Sequence, residues 1–281
     1  MSLRNLLFIL SICLSFSFDA SYGAEDELSN KEESVLPNGG EDALLESYSK
    51  NATSAIPRAY VLYKKKVWRE IYLDEKQNRP CFMRDKEISK VIIDGVKKGL
   101  LVPYKDDKLV EVMPMSAFLK NLLMDESEDA SQDTTGHEFY GHDISTLCLV
   151  ENVIFNKISS KKEYDIESIQ LIVPSKKNYP FFQLDRPIAT FKYKDLLAYF
   201  NKLPLEEVCW CNPSNTAETL TWMDAFSLRL FGGKIIKIET LDDANLDALY
   251  QDSYTKEIGP DASQKIAEKI DVEFEYLLYE Y

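Results

Sequence analysis

Histidine is nearly absent from this chain, with 2 in 281 residues. Any centre built on imidazole must therefore use His137 and His142, which share one stretch, "TGHEFYGHD" at residues 135–143. Glycine is also sparse, at 10 residues, and no glycine-rich phosphate loop occurs. Cysteine numbers 5, too few for a disulfide scaffold in a chain of this length. Positive charge is in deficit, with 33 Lys and Arg against 47 Asp and Glu, and no basic stripe is present. This excludes the electrostatic footprint of a nucleic-acid binder. Long apolar runs are missing too: the one from Leu6 to Phe18 is too short to span a bilayer, and nothing after it is more apolar.

That short run belongs to "MSLRNLLFILSICLSFSFDASYGAEDE", which has Arg4 ahead of it and the small residues Ser21 and Gly23 behind it. These are the parts of a secretory signal peptide, expected to occupy residues 1–23 and to be removed, so that the mature protein is exported and soluble. The formal charge of −14 is concentrated in two places. Residues 24–55 carry 8 acids against Lys31 and Lys50, a net −6. Residues 124–143 carry 7 acids and no Lys or Arg, a net −7. Together they hold 13 of the 14 excess negative charges, so they read as solvated, disordered segments rather than as an acidic face. The expected organisation is a signal peptide (1–23), a disordered acidic leader (24–55) and an α+β domain (56–281) with an acidic loop insertion at 125–143.

Within the domain, the fold class is α+β, with mixed helices and short strands. "YVLYKKKVWREIYLDEKQNRP" fits a strand or short helix followed by a turn. Ile88, Val91, Ile92 and Val96 recur at helical spacing, and Gly99 and Pro103 stop that helix. "KDDKLVEVMP" reads as a turn and short strand before a second helix around Ser116–Met124. "STLCLVENVIFNKI", "YDIESIQLIVP" and "YPFFQLDRPIATFKY" are strand-like, and "KDLLAYFNKL" is a short amphipathic helix. Asn215 or Thr216 is placed to cap a helix over "AETLTWMDAFSLRLF", ended by Gly232 and Gly233 before the strand "KIIKIET". From Ala262 onward both periods fit, and the length favours a helix.

The chemistry-bearing residues are few. His137 and His142 are five apart, which puts them more than a right angle apart on a helix, and the neighbouring Gly136 and Gly141 favour a loop. A metal would need carboxylate or thiolate as third ligand and would have to order that loop against its entropy. No metal, cofactor or catalytic residue is expected. Cys81, Cys148, Cys209 and Cys211 fit buried thiols, or one bridge such as Cys81 to Cys148. Cys209-Trp210-Cys211 lacks the two-residue spacing of redox and zinc motifs.

Three blocks, in order, carry a resemblance: "KKKVWREIYLDEKQNRP" (64–80), "RPIATFKYKDLLAYFNK" (186–202) with "WCNPSNTAETLTWMDAFSLRLFGGKIIKIET" (210–240), and the closing "IAEKIDVEFEYLLYEY". The chain resembles the gliding-motility GldN family, also called PorN, of the type IX secretion system of Bacteroidota. It departs from the family in its middle block, which lacks a run of aromatics, and in Tyr276 and Tyr279, where histidine and tryptophan are usual. The resemblance implies a non-enzymatic structural subunit in the periplasm beneath the outer membrane. It further implies self-association in a ring with a GldK/PorK-type outer-membrane lipoprotein, engaged by a GldM-type motor subunit. Trp222 lies at the border of a stripe made by Leu220, Met223, Phe226 and Leu230, on the side of Arg229. It can widen that core stripe or form an exposed anchor at the partner interface. Two other function classes stay open: a periplasmic or secreted hydrolase, and a stand-alone periplasmic ligand-binding domain.

Overall fold

The long stretch at residues 61–72, with its β-branched and aromatic residues, is a single strand, β1 (Val61–Tyr72), and not a helix. The computed structural model describes residues 46–124, 138–175, 184–210, 220–239, 264–265 and 268–272. After β1 come two short strands, β2 (Phe82–Met83) and β3 (Lys86–Glu87), which form a small ribbon. Helices α1 (Ile88–Lys97) and α2 (Met115–Leu122) follow. The chain continues through β4 (Thr146–Asn156), β5 (Lys161–Val173), β6 (Arg186–Lys192) and helix α3 (Tyr193–Phe200). It then forms the paired β7 (Cys209–Trp210) and β8 (Leu220–Thr221), helix α4 (Trp222–Ser227) and β9 (Lys234–Ile238). The main sheet has five strands in the order β6-β5-β4-β1-β9, and every neighbouring pair is antiparallel. The fold is α+β.

Antiparallel partners share a face of the sheet, so register assigns each side chain. Ile71 opposite Leu147 and Arg69 opposite Leu149 mark the first face. Helices α1 to α4 each contribute to the apolar cluster on it, with Ile92, Phe118, Leu196 and Phe226 among its buried members. Lys66 opposite Asn152, Trp68 opposite Val150 and Glu70 opposite Cys148 mark the second, more polar face. β4 is buried almost end to end, as a central strand covered on both faces must be. Helix α1 approaches α3 at Gly95, where a β-carbon would lie 2.8 Å from the Tyr199 ring, and Tyr199 Oη donates to the Val91 carbonyl at 3.2 Å. Gly99, at φ +70°, ends α1 as its position predicts.

Several elements differ from expectation. The helix expected from residue 217 starts only at Trp222, because Leu220 and Thr221 pair as a strand with Trp210 and Cys209. Asn215 and Thr216, the expected caps, lie outside the described residues. Thr221 is the cap: its hydroxyl accepts from Asp224 N, and the Asp224 carboxylate accepts from Thr221 N. Leu230 consequently falls past the helix end and is exposed. "KLVEVMP" forms no strand, only a bridge between Tyr104 and Val112. Residues 264–265 and 268–272 are helical, and Ile270 packs with Val67, Val153, Phe155, Ile235 and Ile238 in a second, smaller cluster.

Parts of the two segments expected to be disordered are placed on the fold. Residues 46–55 lie on the second face, hydrogen-bonded to β5, and residues 138–143 pack through buried Phe139 and Asp143. Residues 24–45 and 125–137 lie outside the described residues. Cys81 and Cys148 are separate buried thiols. They do not form the bridge, because Cys81 sits in the large cluster whereas Cys148 points to the second face. Cys211 is outside the described residues.

Candidate functional site

The histidine loop does not assemble a centre among the described residues. His137 is outside them. His142 is exposed and stacks on Tyr140, with ring centroids 5.3 Å apart and planes 7° from parallel. Of the neighbouring carboxylates, Asp143 lies 3.6 Å from His142 Nε2 and accepts from Tyr140 N at 2.8 Å, and Glu138 pairs with Lys97 at 2.6 Å. No group of three His, Cys, Asp or Glu side chains among the described residues is placed to hold a metal.

Of the two roles open to Trp222, the structure shows the buried one. The side chain is 1% exposed and meets Phe200 edge-on, with centroids 5.4 Å apart at 77°. The capping box at Thr221 sets the first turn of α4 so that Trp222, Ala225 and Phe226 face inward. Trp222 is therefore a core residue of this fold and not an exposed anchor.

The concave feature that sequence does not reveal lies along β5. β6 pairs with β5 only from Ser168 onward, so Lys161–Glu167 have no strand on that side among the described residues. A cleft of about 710 Å³ opens there. Tyr193, Leu197, Met223 and Phe226 supply its apolar lining, and Lys162, Asp165 and Arg229 its charges. Thr53 and Ser54, from the segment 46–58 that straps the second face, close one end.

The charged groups in and beside the cleft are held by protein partners. Asp165 accepts from Thr53 N at 3.1 Å, from Ser54 N at 3.0 Å, and from the hydroxyls of Tyr48 and Thr53. Burial, and then that carboxylate, raise the Tyr48 phenol far above its usual range. Glu167 accepts from Lys66 and Ser49, each at 2.8 Å. Burial alone would raise the Glu167 carboxyl, but the Lys66 and Ser49 bonds outweigh it and hold it below its ordinary value. Deeper, Glu151 accepts from Arg69 Nε at 2.8 Å and from Arg229 Nη1 at 2.7 Å. Arg229 adopts φ +54° and lays its guanidinium 3.9 Å from the Tyr164 ring centroid. Lys162 pairs with Asp271, and Glu163 accepts from Asn156 Nδ2. Groups matched in this way fix a surface. One signal for the strap was available in sequence: the hydroxyl-rich run "SYSKNATS" (47–54) suits carboxylate acceptors, and Asp165 and Glu167 lie within the strand-like "YDIESIQLIVP".

The family model described as "Gliding motility associated protein GldN" matches residues 56–280. No curated protein matches the chain.

Proposed function

The chain belongs to the GldN family of gliding-motility-associated proteins, and on that premise we propose that it is a non-enzymatic structural subunit of the type IX secretion machinery. In this proposal the leading 23 residues direct export and are removed. The domain then resides in the periplasm, held under the outer membrane by a GldK/PorK-type lipoprotein with which it forms a ring. A GldM-type motor subunit engages that ring. The observation that carries the proposal is the family match across residues 56–280. The cleft is consistent with it, because its charged groups are matched in place and its apolar lining suits a polypeptide surface. Affinity isolation of the native protein from solubilised outer membrane tests the proposal. A large assembly containing the lipoprotein is expected. A monomer recovered alone under mild detergent refutes it.

The cleft volume, about 710 Å³, also lies in the range of small-ligand sites. That supports a second reading, a ligand-binding domain. It predicts a monomer that releases a small molecule on denaturation.

A further inference from the structure

Residues 97–120, which begin where Lys97 pairs with Glu138, combine lysine with exposed aliphatic side chains. They carry Lys97, Lys98, Lys105, Lys108 and Lys120 against Asp106, Asp107 and Glu111, a net +2 in a chain of net −14. The same stretch concentrates exposed aliphatic side chains: Val110 is 81% exposed and Leu100 60%, and Val102, Val112 and Met115 are exposed as well.

This exposure is not the slack of a loose loop. Residues 102–105 and 111–114 run side by side, with Met113 N donating to the Pro103 carbonyl at 2.8 Å and Lys105 N to the Glu111 carbonyl at 3.0 Å. Tyr104 exchanges two backbone hydrogen bonds with Thr190 on the outer edge of β6, at 2.8 and 3.0 Å. Trp68 Nε1 donates to Asp107 at 2.7 Å, which turns that carboxylate inward. At the tip, Leu109 takes φ +58° and is buried, which leaves Val110 outside. Glu111 is bound by Lys105, and Lys97 by Glu138. Lys98, Lys108 and Lys120 have no ion-pair partner among the described residues. The outward charge of this fixed, apolar surface is thus positive.

We propose that this surface is a peripheral contact for an anionic phospholipid bilayer. Leu100, Val102, Val110 and Val112 enter the boundary between headgroups and acyl chains, and Lys98, Lys108 and Lys120 meet the phosphates. Charge complementarity selects this occupant, since exposed aliphatics in one stretch with unpaired lysines are the composition of a membrane-surface element. A protein partner fits less well: protein interfaces favour aromatics and arginine and are depleted in lysine. Between Lys97 and Lys120 there is no arginine, and both aromatics, Tyr104 and Phe118, are buried. The proposal is independent of the ring, because it needs only the purified chain and lipid.

Flotation with vesicles tests it. The chain is expected to float with phosphatidylcholine vesicles containing phosphatidylglycerol, to float poorly with phosphatidylcholine alone, and to be released by salt. Lys98→Glu with Lys108→Glu, and separately Leu100→Asp with Val110→Asp, should each lower partitioning by about tenfold or more. All four side chains are exposed, so the thermal melt should not change; it serves as the folding control. Absence of flotation with the anionic vesicles overturns the proposal, as does flotation that both variants retain. Loss of a soluble protein partner in the same variants, without vesicle binding by the parent, reassigns the surface to a protein.

Discussion

Replacing Glu151 with alanine probes the most enclosed charge among the described residues. The Glu151 side chain is 0% exposed, and its neighbours Arg69 and Arg229 are 15% and 26% exposed. The carboxylate takes Arg69 Nε at 2.8 Å and Arg229 Nη1 and Nη2 at 2.7 and 3.2 Å. Two guanidiniums on one carboxylate leave a local charge of +1; without the carboxylate it becomes +2, with little water to solvate it. Removing one partner from such a group costs about 3–5 kcal/mol. Truncation to alanine also leaves a small void on the scale of ~1 kcal/mol. The expected loss for Glu151→Ala is therefore about 4–6 kcal/mol, a large share of the roughly 5–15 kcal/mol that holds a domain folded. Arg69→Met leaves Glu151 with both Arg229 bonds and should cost about 1.5–3 kcal/mol, the value of one charge-assisted bond. Arg229→Met also removes the contact with Tyr164 and should fall between the two. Exchanging all three for apolar residues should recover most of the loss, since charges in such a site are costly to desolvate. Urea unfolding followed by tryptophan fluorescence, compared at constant m, measures each variant. A Glu151→Ala variant within about 1 kcal/mol of the parent would show that water reaches the group and would refute this reasoning. So would an Arg69→Met variant that costs more than Glu151→Ala.

Trp222→Ala should lower stability by about 3–5 kcal/mol in the isolated chain, seen in the same urea assay, with Trp222→Phe milder because the contact with Phe200 persists in part. A fully stable Trp222→Ala variant would return the residue to the surface role. Burial pushes the Cys148 thiol up to about 12, and the Cys81 thiol higher still. Both should resist alkylation near pH 8 until urea is added, as read by peptide mass, and native labelling at the rate of a free thiol would contradict their enclosure. Glu167 has its folded pKa below the ordinary 4.5, so it contributes stability that is full above that value and lost as pH falls beneath it. Proteolysis within residues 46–55 should therefore accelerate below that pH and show a weaker dependence in Lys66→Met; an unchanged profile would sever the link.

Elements set by local pattern were legible in advance. Ile88, Ile92 and Val96 share the inner face of α1, and the Val- and Ile-rich runs became β4 and β5. What failed depended on distant partners. The stripe through Leu220 and Leu230 suggested a helix across both, but pairing of Leu220 with Trp210 holds the first as strand. The local cue against that helix was present, since Thr221-Trp222-Met223-Asp224 spells a capping box that starts the helix at Trp222. The cleft was out of reach, because it exists where β6 happens to stop pairing at Ser168. No residue marks that point in the sequence.

The acidic leader shows how charge counting can misplace a boundary. Residues 46–55 carry only Glu46 and Lys50, a net charge of zero against the −6 of residues 24–45, and they cover two carboxylates that a sheet face cannot otherwise bury. Asp165 and Glu167 are buried, and their acceptor positions are filled from the strap by Tyr48, Ser49, Thr53 and Ser54, with Lys66 supplying the one full charge. Ile56 is the only buried residue between 46 and 58, so hydrogen bonds and not apolar area hold the strap. Such a contact is specific in geometry and modest in net energy, because each bond replaces one to water. The family match begins at residue 56, at that single apolar anchor, and the hydroxyl contacts all lie upstream of it. The family-matched domain and the strap are thus joined at Ile56, and burial of Asp165 and Glu167 is what makes the strap part of the fold.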